Sequence, residues 1–538
     1  MGKVGKKLLA AVLAGILSAG TAAAVPAEEQ TSAEDSGDKI VNIASTSTLS
    51  TLNPLNMDFT FMAMYSQSLM FLPLAEFTAD SWEGMLAEDI TTDNNLDFTV
   101  TLRDVTWTDG EPVTADDVIW TMLKITSPEV ANPNFYFGDF KGFDDNGQSP
   151  SGAEQIEGIE KVDDKTIVFH ADTEMSLNSF INNVCTWIMI LPSHVLKDIP
   201  DDELSTSSWF NAPTVTDGPY VLDDCDPAHY VSYSANPDYV FGAPNIDKLN
   251  IRVVEPSGIL AGLQNGEIDF VLPGIATIPN ADLASVEALE NVTTVTGSPV
   301  TNQITFINTR KITDSRVRQA IVYAIDRQLL IDGTLSGNGE IAEGFVSPAS
   351  PYYDDTVEGF SYDPDKAKEL LDEAGWDSST VLEYYVWSGD DAMVKGSQII
   401  QQELAEVGIT VNLHTVDLDS LMSIAGTDDE ALFTVQYTIT PQDYYVDAQS
   451  LVDLEGDSWT GGYFNEDLHE ALVSTQSAKT DDELIESYRK MTDILIEDVP
   501  MFSLYFISSV GVVSNRLTGA VPDFYGSLNH VEQWDIAE

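Results

Sequence analysis

The chain reads as an α/β protein of more than one packed lobe, and three observations predict this. Its 538 residues exceed what one core holds, since single cores stop growing beyond about 250–300 residues. Hydrophobic residues make up 43% and charged residues 21%, a globular balance that excludes a disordered, coiled-coil or fibrous chain. Helical and extended patterns alternate along the sequence with no repeat of fixed period, as mixed α/β lobes require.

The first element is an export signal. Lys3, Lys6 and Lys7 precede an apolar run over 8–17, the length of a signal-peptide core and too short to span a bilayer as a mature helix. Small residues follow, so cleavage after Ala24 or Ala27 is expected. We assign 1–27 to the signal peptide and 28–38 to a polar tether, with the mature fold starting near Lys39. Positions 17–20 look like a lipobox, but Gly20 stands where the lipid-bearing Cys belongs, so a secretory signal without an acyl anchor is expected. The longest later apolar run, 184–191, is ended by Pro192 and is far shorter than the ~20 residues of a spanning helix.

Next comes a strand, turn and helix. Phe98, Val100 and Leu102 alternate with polar residues, Asp109 and Gly110 turn the chain, and Thr114 caps a helix with Asp117 three places on. From Asp314 onwards Val317, Ala320, Ile321, Ala324 and Ile325 form one apolar helical face, and Arg316, Arg318, Asp326 and Arg327 are expected in surface or interlobe salt bridges. Asp363 and Pro364 open another helix that Gly375 ends. A helix over 397–407 stops at Gly408 and passes into a strand carrying Ile409, Val411 and Leu413.

Charge narrows the function classes. Twenty-four basic residues against 88 acidic ones give a net charge of −64, a surface that repels nucleic acid and anionic lipid and reads as a solvated acidic coat. Among 88 acids a pair of carboxylates says nothing about glycosidase chemistry. Cys185 and Cys225 are compatible with one disulfide or with two thiols, and their spacing suits neither zinc nor redox catalysis. The 6 histidines are scattered, and no nucleophile elbow or HExxH helix occurs, so an exported hydrolase is a poor reading and no catalytic or metal-ligating residue is assigned.

An ordered set of short motifs then becomes specific: LNPL at 52–55, LR at 102–103 with Trp107 and DG at 109–110, TADDV at 114–118, TDGPY at 216–220, NPDY at 236–239, NGEID at 265–269, FIN at 306–308, RVRQAI at 316–321 and AIDR at 324–327. Together they make the chain, from about Ile40 onwards, resemble the family 5 extracellular solute-binding proteins of oligopeptide, dipeptide and nickel ABC importers. The resemblance implies a two-lobed, periplasmic-binding-protein-like type II α/β fold. Lobe I would span 39–299, with an inserted subdomain at about 76–200, and return at 506–538; lobe II would span 300–505. Hinge strands are expected near 301–306 and 501–507, with lobe closure on the solute.

The implied function is capture of peptides for membrane permease subunits by a monomer outside the cytoplasm, in the periplasm or on the outer face of the membrane, with no enzymatic activity and no cofactor. The same role for a nickel chelate, an oligosaccharide or an opine-like solute is the alternative. In peptide-binding members a carboxylate after an aromatic-rich strand holds the peptide amino group, and the matching stretch is 436–447. Asp443, followed by Tyr444, is the first candidate and Asp447 the second; Tyr437 and Trp387 are candidates for aromatic walls. Two departures stand out: no Lys or Arg occurs between Lys395 and Lys479, and Thr440 stands where a Trp is expected before the acid. These disfavour short peptides with a tightly held carboxylate.

Overall fold

A computed structural model describes residues 37–537 except 79–80, 131, 274–276, 440–442, 453–458, 524–525 and 527. The signal peptide, the lipobox-like positions and most of the tether lie outside the described residues, as does Thr440. The chain divides into two compact units, one of Ser298–Ser509 and a split one formed by the residues up to Gly297 together with Val510–Glu538. Among the described residues no helix is long and apolar enough to cross a membrane.

The split unit is built on a seven-stranded sheet in the order Val292–Thr296, Val510–Ser514, Phe270–Val271, Ile40–Ser45, Lys248–Val253, Tyr230–Ala235, Tyr220–Asp226. Ile40–Ser45 runs parallel to Lys248–Val253 and alternates inward Val41 and Ile43 with Ile40 and Asn42, as a strand facing a core on one side should. A four-stranded antiparallel sheet, Ala87–Thr92, Asp97–Leu102, Thr166–His170 and Ile159–Lys161, belongs to the same unit. Phe98, Val100 and Leu102 face inward as their alternation predicts. The helix Ala115–Ile125 begins with the expected capping box: Asp117 Oδ2 accepts from the Thr114 N–H at 2.9 Å.

Gly218 in the split unit is fixed by close approach, because a Cβ there would run into the Leu69 carbonyl oxygen. Gly110, at φ 91°, is fixed by backbone angle, a conformation that side chains disfavour. Cys185 and Cys225 are separate free thiols, the first buried and the second half-buried.

The Ser298–Ser509 unit carries a six-stranded sheet in the order Gly339–Glu340, Met501–Ile507, Thr301–Ile307, Leu432–Thr438, Val381–Trp387, Thr410–Val416. The two stretches expected to pair as crossing strands do pair, antiparallel, with Thr301 opposite Ile507, and both belong to this sheet. Every residue of Thr301–Ile307 is buried, which explains its nearly unbroken β-prone composition: a strand covered on both faces needs no alternation.

Three readings of the helices need correction. The apolar stripe from Asp314 does not run as one helix: Ser315–Tyr323 ends, and Asp326 caps a second helix, Arg327–Thr334, by accepting from the Leu329 N–H at 3.0 Å. Arg318 and Arg327 are not surface partners; they are 5% and 4% exposed. Arg318 donates to the carbonyls of Asp498, Val499, Ile312 and Thr313, closing the ends of neighbouring segments. Arg327 pairs with Glu343 at 2.7 Å. A long guanidinium presents five donors in a fixed fork, so it can bind several carbonyls where a surface position offers none. The helix expected over 397–407 starts earlier, at Asp391, because Asp390 caps it by accepting from the Met393 N–H.

Candidate ligand site

All five candidate residues fall in the Ser298–Ser509 unit, four of them at one corner of it. Leu432–Thr438 is central in its sheet, antiparallel to Thr301–Ile307 and parallel to Val381–Trp387, and its apolar and β-branched residues suit burial on both faces. This fixes Tyr437 near the strand end, and the helix Tyr445–Val452 follows. The Tyr437 hydroxyl donates to Asp447 Oδ1 at 2.7 Å, tying the strand end to the first turn of that helix. A carboxylate in a first helical turn also meets the positive end of the helix dipole.

Asp443 stands just before the helix and is only 3% exposed; its Oδ1 accepts from the Tyr445 N–H at 3.1 Å. Tyr444 is fully buried. Its hydroxyl accepts from the Ser347 N–H at 3.1 Å, and its own N–H donates to the Tyr488 hydroxyl at 3.4 Å. The Tyr444 and Tyr488 rings meet edge to face, 5.4 Å between centroids at 84°, and Tyr352 lies 6.0 Å beyond Tyr488. Burial drives the Tyr488 phenol well above its ordinary range, and the Asp443 charge pushes it further the same way. Burial likewise raises Tyr444. The phenols therefore stay neutral and serve as hydrogen-bonding struts beside Asp443.

Trp387 stands apart from this corner. It ends the neighbouring strand, opposite Val416, is 8% exposed, and lies over Gly389, where any Cβ would meet the indole. Beside it, Gln436 Nε2 donates to Asp390 Oδ2 at 3.0 Å and Gln303 Oε1 at 3.2 Å, a buried polar seam that sequence reasoning did not find. Tyr488, Tyr352 and Ser347 were missed as well. Tyr488 shares a 4-3-4 spacing with Leu484, Met491 and Leu495 in the helix Asp481–Asp498, which marks it as core without revealing its hydroxyl partner. A cavity of about 210 Å³ adjoins these tyrosines, lined by Tyr352, Tyr353, Asp354, Tyr488 and Arg489, with Arg489 Nη1 3.2 Å from Asp354 Oδ2. Among the described residues no cluster of His, Cys, Asp and Glu is placed to hold a metal ion.

Comparison with known proteins places this architecture. The model for the middle region of bacterial extracellular solute-binding proteins, family 5, matches residues 81–459. The oligopeptide-binding protein AppA of Bacillus subtilis is 25% identical over 512 residues, covering 90% of this chain and 87% of that one. A Brucella ovis protein named as an ABC transporter peptide-binding protein is 29% identical over 354 residues, 63% of this chain, and the match spans 61% of that protein's length. In structure, the ABC transporter substrate-binding protein CtaP of Listeria monocytogenes superposes with a TM-score of 0.79 at 24% identity, covering 93% of this chain and 100% of that one. The two-lobed α/β fold is thus shared, and with a family match over well more than half its length the chain belongs to the bacterial extracellular solute-binding proteins, family 5.

Proposed function

We propose that this protein is the extracytoplasmic substrate-binding component of an ABC importer, a monomer that captures peptides and hands them to membrane permease subunits without chemical change. The reading includes removal of residues 1–27 as a signal peptide, absence of a lipid anchor at Gly20, and lobes divided as 39–299 with 506–538 and 300–505. The observation that carries the peptide assignment is the Asp443 carboxyl group, 3% exposed and bordered by Tyr444 and Tyr488, in a chain with several relatives named for peptides and one for nickel. A desolvated ammonium needs such a partner, since an unpaired buried charge is prohibitively costly. Asp443 is assigned to the peptide amino group, Asp447 with Tyr437 to the adjoining peptide backbone, and Tyr444 and Trp387 to the walls.

Thermal unfolding against peptides of three to nine residues, oligosaccharides, opines and nickel chelates tests this. A peptide at 100 times its dissociation constant adds about 2.7 kcal/mol of stability, and Asp443→Asn removes that gain. If only a sugar, an opine or a chelate stabilises the protein, the peptide assignment is wrong and the capture role stands. If Asp447→Asn and not Asp443→Asn removes the gain, the ammonium partner is Asp447.

A further inference from the structure

The four-stranded sheet of the split unit carries an imidazole with an acid on each side. His170 ends the strand Thr166–His170, which lies between Asp97–Leu102 and the three-residue edge strand Ile159–Lys161. Asp97 is its direct register partner across one ladder. Glu160 stands opposite Val168 across the other, two residues along the strand from His170 and therefore on the same face. His170 Nδ1 lies 2.6 Å from Asp97 Oδ1, and Nε2 lies 3.2 Å from Glu160 Oε2, both within hydrogen-bond distance.

The chemistry of the ring makes this arrangement informative. A neutral imidazole has one N–H and one bare nitrogen, whereas an ionised carboxylate offers only acceptors. Two carboxylates are therefore bonded at once only by the imidazolium, in which both nitrogens donate. The bond from His170, then one from Asn94, holds the Asp97 carboxyl below its usual range, and Glu160 is well exposed to water, which favours the charged form. The ring is only 21% exposed, so these two partners meet its polar edges. Other charges stand nearby. The Lys141 backbone N–H donates to the His170 carbonyl at 3.0 Å, and its side-chain charge bears on Asp97. Lys161 is held by Asp116 at 2.9 Å and Asp164 at 2.8 Å, while Glu154 and Glu157 line the same groove as His170.

We propose that His170 is a proton-operated staple: as imidazolium it fastens the edge strand Ile159–Lys161 to Asp97–Leu102 through its own strand, and on losing its proton to water it lets the edge strand go. Asp97, at the shorter contact, keeps the remaining N–H, which leaves the bare Nε2 facing a carboxylate oxygen of Glu160. A strand of three residues has few ladder bonds to hold it once that link turns repulsive. The stapled form holds a proton that the released form has shed, so the staple is complete in acid and is lost as pH rises through the histidine range, from about 6 to 8. It is independent of the peptide reading.

Hydrogen exchange of the full chain at pH 6 and pH 8, with each amide's protection taken relative to its unstructured rate at the same pH, tests this. Protection over residues 156–161 falls at least about three-fold from pH 6 to pH 8, a modest change because both carboxylates are exposed and screened. The opposite edge strand of the sheet, Ala87–Thr92, keeps its protection. Glu160→Gln replaces an exposed side chain, so the variant folds, and it abolishes the difference, because an amide can donate to the bare nitrogen as well as accept from an N–H. In the native chain the His170 ring signals titrate in step with the loss of protection. Equal protection of 156–161 at the two pH values, a difference that persists in Glu160→Gln, or an equal fall in Ala87–Thr92 overturns the proposal.

Discussion

Replacing Glu343 by Ala tests the electrostatic centre of the Ser298–Ser509 unit. Its Oε1 accepts from Arg327 Nη2 at 2.7 Å and from the Phe360 N–H at 2.9 Å, and both side chains of the ion pair are less than a tenth exposed. Without the carboxylate, Arg327 keeps only the carbonyls of Phe360 and Ser503, and the Phe360 N–H loses its acceptor. Breaking one side of a buried pair costs about 3–5 kcal/mol, and an orphaned donor adds about 1. Glu343 lines the cavity beside Tyr352 and Tyr488, so water can reach the stranded guanidinium and bring the loss towards about 3–4 kcal/mol. With a urea slope of about 2–3 kcal/mol/M for this unit, the midpoint falls by about 1–2 M. Equilibrium unfolding followed by tryptophan fluorescence, fitted with separate transitions for the two units, reads it. The double variant Arg327→Met, Glu343→Leu recovers more than half of the loss, because packing replaces a pair that was expensive to desolvate. A midpoint drop below about 0.3 M at unchanged slope, or a double variant as unstable as the summed singles, refutes the reasoning.

Four further outcomes follow from the same structure. Arg318→Met strands four carbonyl contacts and lowers stability by at least about 3 kcal/mol in the same assay; a loss under 1 would show that water replaces the guanidinium. Burial lifts Glu430 from its ordinary 4.5 to about 8, partly offset by the Asn308 hydrogen bond. The folded state therefore retains a proton that the unfolded chain sheds, and this stabilisation, complete below pH 4.5, is lost at about 1.4 kcal/mol per pH unit as pH rises towards 8. Stability curves of native protein and Glu430→Gln should diverge across that window; parallel curves contradict the assignment. Burial raises the Cys225 thiol to about 11 and holds the buried Cys185 thiol well above its ordinary range, so a thiol reagent at pH 8 labels Cys225 slowly and Cys185 only on unfolding. Finding no titratable thiol in denaturant without reductant would mean a disulfide after all. With a net charge of −64, raising ionic strength from 0.01 to 1 M shortens the screening length from about 30 to 3 Å and raises the thermal midpoint; a flat response would exclude self-repulsion as a destabilising force.

Much of the fold was legible because local signals and tertiary context agree. The Thr114 capping box, the helix from Pro364 closed by Gly375 at φ 67°, and the alternating strand Asp97–Leu102 stand where side-chain chemistry puts them. The failures share a cause. Arg318 and Arg327 read as solvated because a helical stripe predicts which face is buried but not which charged residues reach across to bind carbonyls of segments far along the chain. Asp443 and Asp447 could be nominated from the sequence, while the tyrosine struts around them come from three separate helices and loops.

The crossing points of the chain carry a topological consequence. Thr296 pairs with Val510 in one sheet and Thr301 with Ile507 in the other, so at both borders the outgoing and returning strands are direct register partners, about 5 Å apart. Seen from the split unit, everything between those points is a cassette inserted at the tip of a β-hairpin, and a two-residue turn could take its place without displacing either strand. The long excursion consequently imposes little loop-closure entropy on its host, and each unit can complete its own sheet before the other has formed.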